Sequence, residues 1–262
     1  MKEAIREEIR AFVAAAQTGE APDPLWLEPL VGFVSADDSR LAELAAAVSA
    51  SHALPRDLLP TAGAVIVVFV PFHRSVDREN RRGKLASRRW AEAYVATNAM
   101  LARLGEHLSA WLATRGHALV PIPATHNFDP ERLVADWSHR HYAVLAGLGK
   151  LGHHNLLITE RGCVGRLCSY VTDVQATTDP GPGHEPCLHL AGLPCLRCVT
   201  RCVGDALAEA SFDRHACYAQ CLQNDGQWPD LGTTDVCGKC IAGVPCSHID
   251  PSPAKNRRPS SG

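Results

Sequence analysis

The chain reads as a mixed α+β or α/β fold followed by a small cysteine-rich domain, on three observations. A strongly apolar run, AGAVIVVFVPF (Ala62–Phe72), has the length and β-branched content of a buried strand. Helical and strand-like segments alternate around it, as in a layered fold. Nine of the 11 cysteines lie between Cys187 and Cys246, beyond a Pro- and Gly-rich stretch, TTDPGPGHEP (Thr177–Pro186), that marks a boundary. The expected division is 1–176, 177–250 and a disordered tail, 251–262.

Each element follows from its local pattern. MKEAIREEIRAFVAAAQ carries Glu and Arg among its apolar positions, which predicts an amphipathic helix and not a signal peptide. DSRLAELAAAVSASHALP is helical in pattern and stops at Pro55. The run Ala62–Phe72 is the central strand. Lys84–Gly116 is the longest helical stretch, with Trp90, Tyr94, Leu101 and Leu104 as a core-facing stripe and Gly116 as its C′ glycine. HALVPIP (His117–Pro123) restarts as a strand, NFDPERLVADWSHRHYAVLAGLG makes one or two short helices, and NLLIT and RLCSYVTDV are strands.

Bulk properties narrow the function. The 262 residues, 46% hydrophobic and 21% charged, are those of a soluble globular protein. A net charge of −2 gives no bulk reason to expect nucleic acid or an anionic membrane. No apolar run is long enough to span a bilayer. A cytoplasmic protein without a membrane partner is expected. An odd cysteine count without an export signal argues against a disulfide framework.

Gly147-x-Gly149-x-x-Gly152 has the spacing of a dinucleotide-binding loop. Such a loop needs a helix behind it, so that the helix N-terminus faces the pyrophosphate. HHNLLITERGCVGRLCSYVTD is rich in β-branched residues and interrupted by Gly162 and Gly165, so it predicts strands. The glycines are better read as a tight turn that closes a helix and starts a strand.

The cysteines run Cys187-x7-Cys195-x2-Cys198-x3-Cys202, then Cys217-x3-Cys221, then Cys237-x2-Cys240-x5-Cys246. Two C-x2-C pairs, each followed by another cysteine, are what two [4Fe–4S] clusters require. In two-cluster ferredoxins the last cysteine of a run crosses to the other cluster. That crossover assigns Cys187, Cys195, Cys198 and Cys246 to one cluster. Cys202, Cys237 and Cys240 go to the other, with Cys217 or Cys221 as fourth ligand. A zinc site on Cys195, Cys198, Cys237 and Cys240 would leave five nearby cysteines unused. Cys163 and Cys168 are expected as buried core thiols.

CLRCVTRCVGDAL followed by CGKC and one more cysteine resembles the double-cluster segment of epoxyqueuosine reductases, relatives of cobalamin-dependent reductive dehalogenases. WSHRHYAVLAGLGKLGHHNLLITERGCVGRLCSYVTD resembles the stretch before that family's clusters, and GAVIVVFVPF its first core strand. The resemblance covers residues 60 to 250. It implies a nitroreductase-like α/β domain that holds cobalamin near Gly147, Gly149 and Gly152, followed by a ferredoxin-like domain with two [4Fe–4S] clusters. Ser138 and His139 would line the cofactor pocket, and Asp136 or His141 would donate a proton. Arg161 and Arg166 could pair with an anionic group. The family's acidic motif is out of register here and the chain stops soon after Cys246, so tRNA is not expected as a partner.

The expected function is an iron–sulfur oxidoreductase that passes electrons from a donor such as a flavodoxin or ferredoxin to a bound corrinoid, which reduces a small substrate. The alternative is an electron-transfer or corrinoid-activating partner without substrate chemistry of its own.

Overall fold

The computed structural model describes residues 1–17 and 24–253. In chain order the elements are α1 (Lys2–Ala16), β1 (Leu30–Ser35), a 3-10 turn (Ser39–Glu43) leading into α2 (Leu44–Ala47), α3 (Pro55–Leu58), β2 (Ala64–Pro71), α4 (Arg74–Asn80), α5 (Arg88–Ala113) and β3 (Leu119–Pro121). Then come α6 (His139–Leu145), β4 (Gly149–Leu151), β5 (Leu157–Thr159), β6 (Gly165–Thr172), α7 (Arg197–Thr200), α8 (Arg214–Asp225) and two short 3-10 turns, Pro229–Leu231 and Lys239–Ile241. The chain forms two compact units. One comprises 1–70, 97–148 and 166–181, and the other 71–96, 149–165 and everything from 182 on.

The first unit is built on a four-stranded sheet in the order β1-β2-β6-β3. All eight residues of β2 are buried, as the apolar run requires of an interior strand. Both β1 with β2 (Phe33 opposite Ile66) and β3 with β6 (Val120 opposite Val171) pair antiparallel, which makes this an α+β sheet. The edge at β1 is covered by the segment after β6. Asp179 N–H donates to the Phe33 carbonyl, its carboxylate accepts from the Phe33 N–H, and Thr178 accepts from the Ser35 N–H. Unpaired strand groups are thereby satisfied. Lys2 and Arg6 of α1 close on the same Asp179 carboxylate. Ile5, Ile9 and Val13 form the fully buried stripe of α1, one residue per turn.

In α5, Met100, Leu104, Leu108 and Leu112 make a four-turn buried row, and Gly116 (φ +76°) ends the helix with the His117 N–H on the Leu112 carbonyl. The expected stripe of Trp90, Leu101 and Leu104 is buried. Tyr94 is half-buried and donates its hydroxyl to Asp235.

One strand went unread and one helix is shorter than expected. β1 was not legible in LVGFVS, because it is short and flanked by prolines upstream and acidic residues downstream. The helix expected up to Pro55 stops at Ala47. There the Ser49 hydroxyl and carbonyl take the Ser51 and His52 N–H groups, a local alternative to helical bonding. Of the one or two short helices expected after Asn127, one forms, α6, beginning at His139, and Asp129 and Val134 pair as an isolated antiparallel bridge before it. Residues 254–262 of the expected tail lie outside the described residues. No helix of the structure is long and apolar enough to cross a membrane.

Candidate metal centre

The second unit gathers its cysteines into two groups. Cys187, Cys195, Cys198 and Cys246 line one small recess together with His153, His154 and His189. They reach it from three segments: the loop after residue 182, the start of α7, and the turn after the last 3-10 segment. Burial, and then the charge of Cys246 and the neighbouring Cys187 and Cys195, push the Cys198 thiol up to about 11.

The other group is Cys202, Cys217, Cys237 and Cys240. Burial raises Cys240, and the charges of Cys237, Cys217 and Cys202 raise it further. Cys237 is likewise raised by burial, then by Cys217 and Cys202. Cys217 and Cys221 stand one turn apart on α8 and are hydrogen-bonded to each other, which is the main reason the Cys221 thiol is raised. Thiols that elevate one another in this way cannot all ionise by themselves, and cations that accept thiolates remove the conflict. Sets of four cysteines are the donor sets of iron–sulfur clusters and of structural zinc.

His154 and Cys163 join the first group, and sequence reasoning missed both as site residues. His154, Cys163 and Cys246 place their ligand atoms within 4.8 Å of one another, all buried. The Cys163 and Cys246 sulfurs are 3.9 Å apart and His154 Nε2 is 3.5 Å from Cys246 Sγ. Nδ1 of His154 accepts the Leu156 N–H, so the ring's proton sits on Nε2 and points to sulfur. Both donors stabilise the Cys246 thiolate, first Cys163 and then His154, and hold its pKa down. Cys163 is buried as expected, but it is brought to Cys246 by backbone pairing: the Cys163 N–H donates to the Cys246 carbonyl at 2.9 Å. Gly162 (φ +80°) permits that approach, since a Cβ there would stand 2.4 Å from the Ser247 carbonyl oxygen. The only sequence trace of this was a cysteine set between two glycines.

The CGKC turn is held by polar groups from α4 and the loop after it. Lys239 is buried and its ammonium donates to the Asn80 and Arg82 carbonyls at 3.0 and 2.7 Å. Asn80 Nδ2 donates to the Cys237 carbonyl. Gly238 is left-handed (φ +67°) and lies flat on the Trp90 indole.

In the first unit the remaining sequence candidates cluster around the start of α6. Asp136 binds His126 Nδ1 at 2.5 Å through one oxygen and accepts from Asn127 through the other at 2.7 Å. His126 was not singled out from the sequence. The Ser138 N–H donates to His52, and Ser138 Oγ bonds His141 Nδ1 at 2.7 Å. Trp137 Nε1–H donates to Ser169 Oγ, which donates to His139 Nδ1, and His139 Nε2–H donates to the Pro123 carbonyl. Burial pulls the His139 pKa down to about 4. Because this lies below the free value of 6.5, the folded state binds the proton less well than the unfolded chain. Stability is therefore complete above the free pKa and declines as pH falls from there toward about 4. An NMR titration should show the His139 ring neutral at pH 6. A normal titration curve for that ring would refute the assignment.

The glycine motif divides between two jobs. Gly147 (φ +74°) ends α6, with the Leu148 N–H on the Ala143 carbonyl, and a Cβ there would meet the Pro180 carbonyl at 2.3 Å. Gly149 opens β4, which pairs with β5, and a Cβ there would strike the Ile158 carbonyl. Gly152 packs on the Ile158 side chain and His154. A strand, not a helix, follows the motif, as expected. Cys168 is buried and bonds the Tyr170 hydroxyl, as a core thiol should.

No family model matches the sequence, and no curated protein matches it. Solved structures do. Epoxyqueuosine reductase from Streptococcus thermophilus is 17% identical with a TM-score of 0.55, over 94% of this chain and 69% of that one. The enzyme from Bacillus subtilis is 15% identical with a TM-score of 0.56, over 96% and 70%. An epoxyqueuosine reductase crystallised with an epoxyqueuosine-modified tRNA stem loop is 17% identical with a TM-score of 0.58, over 98% and 70%. The mixed α+β fold of this chain is the fold of epoxyqueuosine reductase.

Proposed function

We propose that the chain is an iron–sulfur oxidoreductase. Cys187, Cys195, Cys198 and Cys246 hold one [4Fe–4S] cluster, and Cys202, Cys217, Cys237 and Cys240 hold a second, for relaying electrons to a bound corrinoid, cobalamin, that reduces a small substrate. The observation that carries the reading is the gathering of Cys187, Cys195, Cys198 and Cys246 around one recess, and the grouping of Cys202, Cys217, Cys237 and Cys240, whose charges raise the Cys240 thiol. The donor set fits: four thiolates per group, with Cys217 the α8 cysteine whose charge bears on Cys240. When bound, such clusters supply one-electron transfer at potentials set by burial and by hydrogen bonds to sulfur.

The protein's own part is to hold the thiolates and tune them. His154 Nε2–H and the Cys163 thiol donate toward Cys246 Sγ. Lys239 and Asn80 fix the backbone of the CGKC turn. Around α6, Asp136, Ser138 and His139 direct their side chains to partners inside their unit, and so do not present the polar contacts expected of a corrin pocket. The corrin is implied by the sequence resemblance to epoxyqueuosine reductases. The same arrangement favours the alternative, an electron-transfer or corrinoid-activating partner: with both Asp136 oxygens engaged, only the Nε2 of His141 is left as proton donor. The proposal also includes a nitroreductase-like domain at 1–176, a ferredoxin-like domain at 177–250, a flavodoxin or ferredoxin as donor, and a cytoplasmic location.

The test is the visible spectrum of anaerobically purified, iron-reconstituted protein titrated with hydroxocobalamin. Broad iron–sulfur absorption with a base-off corrin spectrum that survives gel filtration is the expected result. Iron–sulfur absorption without retained corrin leaves the electron-transfer reading. A colourless zinc protein would overturn both.

A further inference from the structure

We propose that a recess in the cysteine-rich unit, lined by Arg74, Arg81, Arg197 and His248, binds a phosphate group. The recess measures about 410 Å³, and no carboxylate lines it. Arg74, in the first turn of α4, and Arg197, at the start of α7, are exposed and have no carboxylate partner among the described residues. Two guanidinium groups without counter-ions, facing one concavity, match a doubly charged oxyanion.

The rest of the recess is built. Asp77, fully buried, is its anchor. One oxygen accepts the Gly243 N–H at 2.9 Å, and the other accepts Arg81 Nε at 3.0 Å and lies 3.1 Å from His248 Nε2. The third arginine is thus held in place by a group that does not itself face the ligand, with His248 within ion-pair distance of the same carboxylate. Gly243 (φ +72°) lets the Arg81 stem lie against the backbone, since a Cβ there would stand 3.0 Å from Arg81 Cδ. The His248 side chain is only 9% exposed, and neither of its ring nitrogens makes a hydrogen bond among the described residues. A buried ring nitrogen left over at the wall of an arginine-lined recess is a group waiting for a polar ligand. The volume exceeds that of a bare ion, so a phosphate ester fits better than free phosphate. The site uses none of the cysteines, but Arg197 lines the cysteine recess as well, so the test is made on iron-loaded protein.

Titration calorimetry on the full-length, iron-reconstituted protein tests it with two probes, inorganic phosphate and an RNA stem loop. Saturable one-to-one binding of inorganic phosphate, weakened about tenfold by Arg74→Ala and partly restored by Arg74→Lys, is the expected result. Stem-loop binding without measurable phosphate binding, again weakened by Arg74→Ala and with a shallower salt dependence, would assign the phosphate to a nucleic-acid backbone. Arg74 is exposed, and unchanged iron content and circular dichroism show that its variants are folded. Binding of neither probe, or binding indifferent to Arg74→Ala, overturns the proposal.

Discussion

Replacing Cys240 with serine is expected to halve the iron content, from about eight irons per chain to about four, with a matching loss of visible absorption. Cys240 is half-buried, and its thiol is raised by burial and by the charges of Cys237, Cys217 and Cys202. A hydroxyl at that position does not ionise, so the remaining three thiolates keep a cluster poorly or not at all. Cys221→Ser separates this from a general loss of packing. Cys221 meets the group through its hydrogen bond to Cys217, and its replacement should leave the iron near the parent value. Equal iron in the Cys240→Ser protein and its parent, or a drop in Cys221→Ser as large as in Cys240→Ser, would reject the ligand assignment.

Gly238→Ala is expected to destabilise the protein by about 2–5 kcal/mol and to lower iron retention with it. Two costs add. A non-glycine residue in the left-handed region loses about 1–2 kcal/mol. The new methyl would sit 2.0 Å from Trp90 Cζ2, and forcing such overlap in a packed site costs a further ~1–3 kcal/mol. Trp90 is almost fully buried and cannot swing aside cheaply. Against a total stability of about 5–15 kcal/mol, a loss of this size is visible in a urea melt. A midpoint unchanged from the parent would show that the CGKC turn does not rest on the indole.

Much of the fold was readable because its cues are local. The apolar run at Ala62–Phe72 became the fully buried β2, and the three-and-four periodicity after Lys84 became α5, whose end the glycine at 116 marks as it should. β1 escaped because its stability comes from partners remote in sequence: β2 on one side, and Thr178 and Asp179 on the other. The early end of the helix near residue 47 turned on serine hydroxyls that compete for backbone groups, a choice that composition does not reveal.

The sites divide along the same line. Cysteine spacing by itself named the thiols and suggested two groups, since a C-x2-C turn brings two sulfurs to one metal whatever surrounds it. It also showed that the glycine motif lacks the helix a dinucleotide needs. Tertiary structure alone decided that Cys163 and His154 reach Cys246, because that depends on a backbone pairing between residues 163 and 246. The commitment of Asp136 to His126 and Asn127 was likewise invisible until the turn before α6 was folded. So was the convergence of Arg74, Arg81 and Arg197 on one recess. Spacing encodes what a single turn can bring together, and hydrogen bonds between distant segments decide which side chains remain free for chemistry.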